Sequence, residues 1–152
     1  MSVTRLFVEA DLSEGAEIAL SEAQAHHLRH VMRRAEGAPL LLLNGRDGEW
    51  RGSLGLSGKK AAHASVGART REQTAEPDLW LCFAPIKRAR IDLIAEKATE
   101  LGVAAIQPLF SERSVVRLDH ERAAKRVEHW QEVVIAACEQ CGRNRVPPVA
   151  AP

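Results

Sequence analysis

The sequence predicts an α/β protein with two halves of different architecture. In the first half, short apolar segments separated by glycine and asparagine turns indicate a small antiparallel barrel or sheet with one inserted helix. In the second half, strand and helix patterns alternate, which is typical of a parallel sheet with right-handed crossovers. The stretch 67–77 is polar and lacks hydrophobic periodicity. We therefore place domains at 1–70 and 78–152, with a linker at 71–77.

Composition and charge indicate an ordinary soluble protein. The chain has 152 residues, of which 45% are hydrophobic and 27% charged. Its net charge is only +1, so overall charge gives no argument for nucleic-acid binding. The sequence contains no apolar run of membrane-spanning length and no signal-peptide core, and we expect a cytoplasmic protein without membrane contact. Its three cysteines favour reduced thiols over disulfides.

The first half begins with a predicted strand at 5–8 and a polar connection at 9–17. Ser21 and Gln24 have the spacing of a capping box, which predicts a helix that reaches about residue 35 and ends before Gly37. Steps of three and four predict its buried face: Ala25, Leu28, Val31, Met32 and Ala35.

The other face of this helix carries the strongest charge bias in the chain. It holds six basic or titratable residues and no acid: His26, His27, Arg29, His30, Arg33 and Arg34. This basic face either binds phosphate or is simply solvated, and the sequence leaves both interpretations open. His26 and His30 have metal-ligand spacing, but the neighbouring arginines would repel a cation.

Three further strands are predicted at 39–43, 49–54 and 60–66. Asn44 and Gly45 between the first two are a strong hairpin signal. We expect Trp50, Leu54 and the leucine run of the first of these strands to lie inside.

The second half begins with an apolar run at 79–84, which predicts a strand buried on both faces. A helix at 89–101 and a strand at 103–110 follow. The long last helix is expected to begin at the N-cap Asp119 and to end at Gly142. Two apolar stripes are expected to be buried: Ile91, Ile94, Ala98 and Leu101 on the shorter helix, and Ala123, Val127, Trp130, Val134, Ala137 and Cys141 on the longer.

Val149 is expected to begin a third strand. Two or three strands cannot easily bury both helix stripes, so we expect a partner subunit or further sequence to cover them.

Polar residues gather where the last helix ends. Glu139, Gln140, Arg143 and Arg145 lie there, and we expect the two arginines, on a turn, to be free to meet a ligand. No dinucleotide or nucleoside-triphosphate motif is present. Cys138 and Cys141 match Cys-x-x-Cys, but the C-terminal end of a helix disfavours a thiolate, so packing is the expected role, for Cys141 in particular.

Three segments resemble a known family: IAEKATELGV at 94–103, PLFSERS at 108–114 and AACEQCGRNRVP at 136–147. They are similar to the bacterial small-subunit rRNA uridine N3-methyltransferases of the SPOUT (trefoil-knot) superfamily. HLRHVMR at 27–33 is similar to a helix of that family's PUA-like RNA-binding domain. The resemblance implies a PUA-like β-barrel followed by the first (β/α) half of a SPOUT parallel-sheet domain.

The resemblance also implies an activity. Members transfer a methyl group from S-adenosylmethionine to N3 of one uridine in 16S rRNA, acting on the assembled 30S subunit as homodimers, and no metal is implied. In the family the cofactor lies in a C-terminal knot, and this sequence ends at Pro152 before the motifs of that knot. We therefore expect a chain truncated before the knot, with the cofactor site in the missing part, and inactive by itself.

Site residues follow from the resemblance. It assigns rRNA docking to Arg5, His27, Arg29 and Arg33, and it assigns the substrate side of the methyl-transfer site to Lys97, Glu100, Arg113, Glu139, Gln140 and Arg143.

These residue types suit the chemistry of methyl transfer to uracil. Methylation of uracil N3 requires removal of its proton or stabilisation of the resulting anion. We hypothesise Arg143 or Arg113 as the stabilising group and Glu139 as the base or as a positioning group. For Lys97 and Glu100, a surface charge pair is an equal alternative. A non-catalytic RNA-binding adaptor remains the second reading of the whole chain, and a redox or metal protein the third.

Overall fold

The chain forms two compact units, Met1–Thr74 and Ala75–Pro152, each with its own core. This computed structural model describes residues 3–58, 60–86, 89–114 and 120–152. The predicted N-cap Asp119 lies outside these ranges. No helix in the described ranges is long and apolar enough to cross a membrane.

The first unit is a five-stranded sheet with one short helix. Its sheet order is β1-β3-β4-β5-β2, with β1 parallel to β3 and the other pairs antiparallel. The predicted antiparallel arrangement is therefore wrong for β1, because the chain crosses over through β2 and the helix before β3 begins. The elements are β1 Thr4–Phe7, β2 Glu17–Ala19, α1 Glu22–His26, a π-helical turn His27–Val31, β3 Pro39–Leu43, β4 Glu49–Ser57 and β5 Ala61–Arg71.

Two strand bounds differ from the sequence prediction. The predicted polar connection ends in β2, whose three residues are too few to show an alternating pattern and bury only Ile18. β5 continues through 67–71, where the polar stretch predicts no strand, and pairs Arg71 with Glu49. Exposed polar side chains at 69–71 hid this strand, because its backbone pairing leaves no trace in hydrophobic periodicity.

The core of this unit lies between the sheet and the helix. Leu40, Leu42 and Leu54 of the sheet are buried beside Ala25 and Leu28 of the helical segment. The predicted interior is thus confirmed for Leu40, Leu42, Leu43 and Leu54, whereas Leu41 is only half-buried. Trp50 packs against this core while half-buried.

The helical segment begins as predicted but ends differently. Ser21 and Gln24 form the capping box in both directions, at 3.2 and 3.0 Å. The Met32 amide then donates to the His27 carbonyl, five residues back, at 2.9 Å, so the second turn is a π turn. The helix ends at Val31, and Arg33 adopts a left-handed φ of 52°.

The π turn changes which side chains are buried. One extra residue in the turn shifts the following positions around the axis. Leu28 is fully buried, but Val31 is 62% and Met32 37% exposed, and Ala35 is exposed as well. The predicted buried face is therefore correct for its first two members and wrong for the last three.

The β3–β4 hairpin is confirmed, with a loop of 44–48 instead of a two-residue turn. The Asn44 side chain accepts the amides of Arg46 and Asp47 at 3.0 and 2.9 Å. Gly48 has a φ of 88°, and a Cβ there would collide with the carbonyl oxygen of Arg71. This glycine therefore lets the loop approach the end of β5.

The second unit has the predicted strand–helix–strand–helix order. It contains β6 Trp80–Phe83, α2 Ala89–Glu100, β7 Ala105–Pro108 and α3 His120–Cys141. β6 and β7 pair in parallel, and Val149 adds a single parallel bridge to Ile106, where we expected a third strand. Gly102 and Gly142 follow the two helices with φ values of 93° and 78°, as predicted for helix ends.

One face of this small sheet carries the core. Leu81 and Phe83 of β6 and Ile106 of β7 pack in one cluster with α2 and α3. Trp80, which points to the other face, is 54% exposed, so the prediction of a strand buried on both faces is wrong for β6. Leu101, predicted on the α2 stripe, is 83% exposed because it lies past the end of the helix.

Leu28→Ala should lower the free energy of unfolding by about 2–5 kcal/mol, because it leaves a cavity in the core. Val31→Ala in the same turn should change it by less than about 0.5 kcal/mol, because that side chain is exposed. Urea unfolding of both variants tests this. Equal losses would mean that the segment is a regular α-helix with both side chains inside.

Candidate functional site

A basic groove lies along the helical segment of the first unit. It is an open depression of about 810 Å³, and its lining residues are Glu22, Ala23, His26, His27, Arg29, His30 and Lys60. The His26 and His30 rings stand 4.8 Å apart, centroid to centroid. No metal-binding cluster occurs among the described residues. The lining suits an anion better than a cation, because a single carboxylate faces several basic groups.

Arg29 is both part of this groove and an anchor for it. Its guanidinium donates to the carbonyl oxygens of Gly58 and Ala61, which lie at the turn between β4 and β5. These bonds hold the π turn against that turn of the sheet. They also bring Lys60 into the groove, a residue that the sequence offered no reason to join to the histidines.

The other two predicted docking residues lie elsewhere. Arg33 is exposed just after the π turn, in the left-handed conformation. Arg5 lies on β1 and pairs at 3.0 Å with Glu49, a buried carboxylate that Thr70 and Arg71 also contact. The structure therefore brings His27 and Arg29 together in the groove, while Arg5 belongs to a separate network on the sheet.

In the second unit, Arg143 is fixed inside the protein. Its side chain is only 8% exposed and forms a multiple ion pair with Glu76, with Nε 3.0 and 3.1 Å from the two carboxylate oxygens. Nη1 donates to the Thr99 carbonyl at 2.9 Å and Nη2 to the Val103 carbonyl at 2.7 Å. The expectation that this arginine is free to meet a ligand is therefore wrong.

This arrangement explains why the sequence-based expectation for Arg143 was wrong. Glu76 lies in the polar stretch between the two halves, 67 residues from its partner, and no local pattern connects them. Arg143 also donates to the Thr99 carbonyl near the end of α2 and to the Val103 carbonyl just beyond it. Its role in this site is to position the chain.

The remaining predicted site residues are more accessible. Gln140 is exposed and Glu139 half-buried on the last turn of α3. Arg113 is exposed on a turn in which the Ser111 amide donates to the Ser114 hydroxyl at 2.7 Å.

Lys97 and Glu100 form a surface pair on α2. Lys97 Nζ lies 2.9 Å from Glu100 and 2.8 Å from Glu96. The carboxylates of Glu96 and Glu100 raise the pKa of Lys97, and the bond from Lys97 lowers the pKa of Glu96. These contacts favour a surface charge pair over a binding role for the two residues.

Cys138, and not Cys141, is the cysteine buried on α3. Its thiol is fully buried and lies 3.4 Å from the Arg145 carbonyl, and burial raises its pKa to about 12. Cys141 is exposed, because α3 ends there beyond the core, so the packing role predicted for it is wrong. A neutral buried thiol is a poor nucleophile and a poor metal ligand.

Arg143→Ala should lower the free energy of unfolding by about 3 kcal/mol, because it leaves the Glu76 carboxylate without its partner. Arg126→Ala on the exposed side of α3 is the matched control and should change it by less than about 0.5 kcal/mol. Denaturant unfolding gives both values. Equal stability of the two variants would contradict a stabilising role of the Arg143–Glu76 ion pair.

Alkaline pH should destabilise the fold through Cys138. The unfolded thiol loses its proton near its ordinary pKa of 9.0, whereas the folded thiol keeps it to about 12, so stability falls across this interval as pH rises. Cys138→Ala should lose less stability than the parent between these pH values, and Cys141→Ala should follow the parent. Unfolding curves at each pH test this, and identical slopes for all three proteins would rule it out.

Comparison with known proteins gives the family. The RNA methyltransferase domain family matches residues 74–152, and the RNA methyltransferase PUA domain family matches residues 20–67. Over 151 residues the chain is 34% identical to the ribosomal RNA small subunit methyltransferase E of Synechocystis. This match covers 97% of the chain and 47% of the relative. The Bacillus subtilis protein of the same name is 30% identical, with 95% of the chain and 58% of the relative covered.

Solved structures agree with these relatives. A ribosomal RNA small subunit methyltransferase E from Neisseria gonorrhoeae, bound to S-adenosylmethionine, is 38% identical with a TM-score of 0.85. A putative methyltransferase from Legionella pneumophila, in complex with the same cofactor, is 30% identical with a TM-score of 0.87. These matches cover 99% and 100% of this chain, and 62% and 63% of theirs. The chain thus spans about half to three fifths of its relatives' length, and it belongs to the RNA methyltransferase family, with that family's PUA domain in its first part.

Proposed function

We propose that the protein containing this chain methylates N3 of one uridine in 16S rRNA, with S-adenosylmethionine as the methyl donor. The main support is the basic groove in a unit that matches an RNA methyltransferase PUA domain, followed by a unit that matches a methyltransferase domain. The proposal extends to the assembled 30S subunit as substrate, to a homodimer of the whole protein and to action in the cytoplasm.

The groove would dock the RNA backbone. Lys60 and Arg29 supply fixed positive charge, and His27 adds ring N–H donors at the same wall. Phosphate contacts of this kind position the RNA but do not read its sequence. Selection of one uridine then falls to the second unit or to the shape of the RNA.

The second unit would handle the target base. Once the uracil N3 proton leaves, negative charge spreads onto O2 and O4, and an arginine can stabilise it. We assign that part to Arg113, whose side chain is exposed, and the acceptance of the proton to the Glu139 carboxylate. Gln140 beside it can donate to a uracil oxygen. Arg143 positions the end of α3 and does not touch the base.

The residues described in the second unit do not themselves form a fitting cofactor site. Their buried polar groups are already occupied, because Arg143 is bonded to Glu76, Thr99 and Val103, and the Thr99 hydroxyl donates to the Ala95 carbonyl. S-adenosylmethionine is therefore assigned from the relatives, and no step above is derived through it. We propose that these 152 residues alone bind RNA without methylating it.

The activity is tested with the full-length protein, 30S subunits and S-adenosylmethionine labelled in its methyl group. We expect the label on N3 of a uridine, located by mass spectrometry of 16S rRNA fragments. Arg113→Ala should reduce kcat about 100-fold, by loss of anion stabilisation, and Arg126→Ala is the matched control. An unlabelled 16S rRNA would refute the activity, and full rate in Arg113→Ala would refute that residue's role.

Docking is tested by salt dependence. Neutralising one phosphate contact should weaken RNA binding and reduce the slope of log K against log salt by about 1. We expect this for Lys60→Ala and for Arg33→Ala, measured by fluorescence anisotropy with labelled 16S rRNA fragments. Lys125→Ala, on α3, should leave the slope unchanged. A slope equal to the parent's in Lys60→Ala would exclude the groove from docking, and one in Arg33→Ala would exclude a phosphate contact at that residue.

A further inference from the structure

A second, smaller cavity of the first unit has no part in the function proposed so far. It measures about 350 Å³ and lies between the loop 44–48 and the end of β5. None of its lining residues belongs to the basic groove. They are Leu12, Arg46, Asp47, Trp50, Arg69, Glu72 and Gln73.

The walls of this cavity are held in place before any ligand arrives. Asp47 accepts the Leu12 amide at 2.9 Å and the Asn44 side-chain amide at 2.6 Å, and these bonds lower its pKa. The Trp50 indole N–H donates to the Asp47 carbonyl at 2.9 Å. Gly48 brings the loop so close to the chain at Arg71 that a side chain there would not fit. A pre-formed cavity reduces the entropy lost on binding.

Two features of the lining point to a planar ligand that can donate a hydrogen bond. The Arg69 guanidinium, a flat cation, lies over the Trp50 ring, 5.8 Å from its centroid, and both side chains line the cavity. The Gln73 Oε1 atom is buried and has no hydrogen-bond partner among the described residues. An unpaired buried acceptor is unfavourable, and an N–H group of a ligand would remove that penalty.

The charges argue against a phosphate in this cavity. Arg46 pairs with Asp11 at 2.8 Å and Arg69 with Glu72 at 3.1 Å, and Asp47 adds a further carboxylate. Both arginines are thus balanced by acids, whereas in the basic groove a single carboxylate, Glu22, lies 3.8 Å from Lys60 among several basic groups. A neutral flat group with N–H donors fits such a lining, and nucleobases have this chemistry.

We propose that this cavity binds one unpaired nucleobase of the RNA, stacked on Arg69 and hydrogen-bonded to Gln73. The proposal rests on RNA being the substrate, and it adds a contact with a base to the backbone contacts of the groove. Stacking on an arginine plane tolerates different bases, whereas the Gln73 acceptor requires an N–H donor at the base edge. The protein would hold its RNA by a single-stranded nucleotide as well as by phosphates.

The test compares two single-stranded probes with the full-length protein by fluorescence anisotropy. One is a labelled uridine decamer, and the other is the same decamer with abasic nucleotides at its centre. The parent should bind the first about 5-fold or more tightly than the second, since stacking of one base accounts for at least that much. Gln73→Leu and Arg69→Ala should lose this preference and retain the affinity for the abasic probe.

Matched variants distinguish the proposed nucleobase site from RNA binding by the protein in general. Lys60→Ala in the groove should weaken binding of both probes by the same factor and keep the preference, and Arg126→Ala should bind like the parent. Thermal unfolding confirms that each variant is folded. A parent without preference, or a folded Gln73→Leu that keeps it, would overturn the nucleobase site while RNA binding stands. A parent that binds neither probe would overturn RNA binding as well.

Discussion

The buried guanidinium of Arg143 organises the second unit. An arginine with an 8% exposed side chain must have its N–H donors satisfied by the protein, because water does not reach them. Glu76 neutralises the charge, and the carbonyls of Thr99 and Val103 take further donors. One side chain therefore joins the beginning of the unit, the end of α2 and the end of α3.

That constraint also sets where Glu139 is placed. It lies one helical turn before Arg143, and the hydrogen bond from Arg143 to the Thr99 carbonyl holds the ends of α3 and α2 together. The Asp92–His129 contact at 3.1 Å links the two helices farther along. Glu139 and Gln140, on the last turn of α3, thus lie on a well-anchored helix end, which the catalytic part proposed for Glu139 would require.

Local rules predicted the local features well. The capping box at Ser21, the β3–β4 hairpin and the buried stripe of α3 depend on neighbours within a few residues. All three are present, except that the stripe ends at Ala137 and leaves Cys141 exposed. Contacts between segments that are far apart in the sequence could not be predicted in the same way. The contact between Arg143 and Glu76 and the extension of β5 opposite Glu49 join segments without any shared pattern.

The candidate site residues show the same difference between local features, which could be predicted, and long-range packing, which could not. Residue type and position drew attention to the basic helix, whose His27 and Arg29 lie in the groove, but could not distinguish a structural arginine from an exposed one. Burial decides that question, and burial depends on tertiary packing. The cavity beside Trp50 left no signal at all, because its lining comes from separate segments of the first unit.

The π turn at His27–Val31 has a further consequence for this chain, one of sequence length. A π turn holds one residue more than an α-helical turn, and each residue of an α-helix advances the chain by about 100° around the axis. Deleting one residue would convert the segment to a continuous α-helix and rotate everything after it by that angle. The groove therefore depends on the number of residues in this helix as well as on their identity, and we expect a one-residue insertion or deletion there to disrupt it.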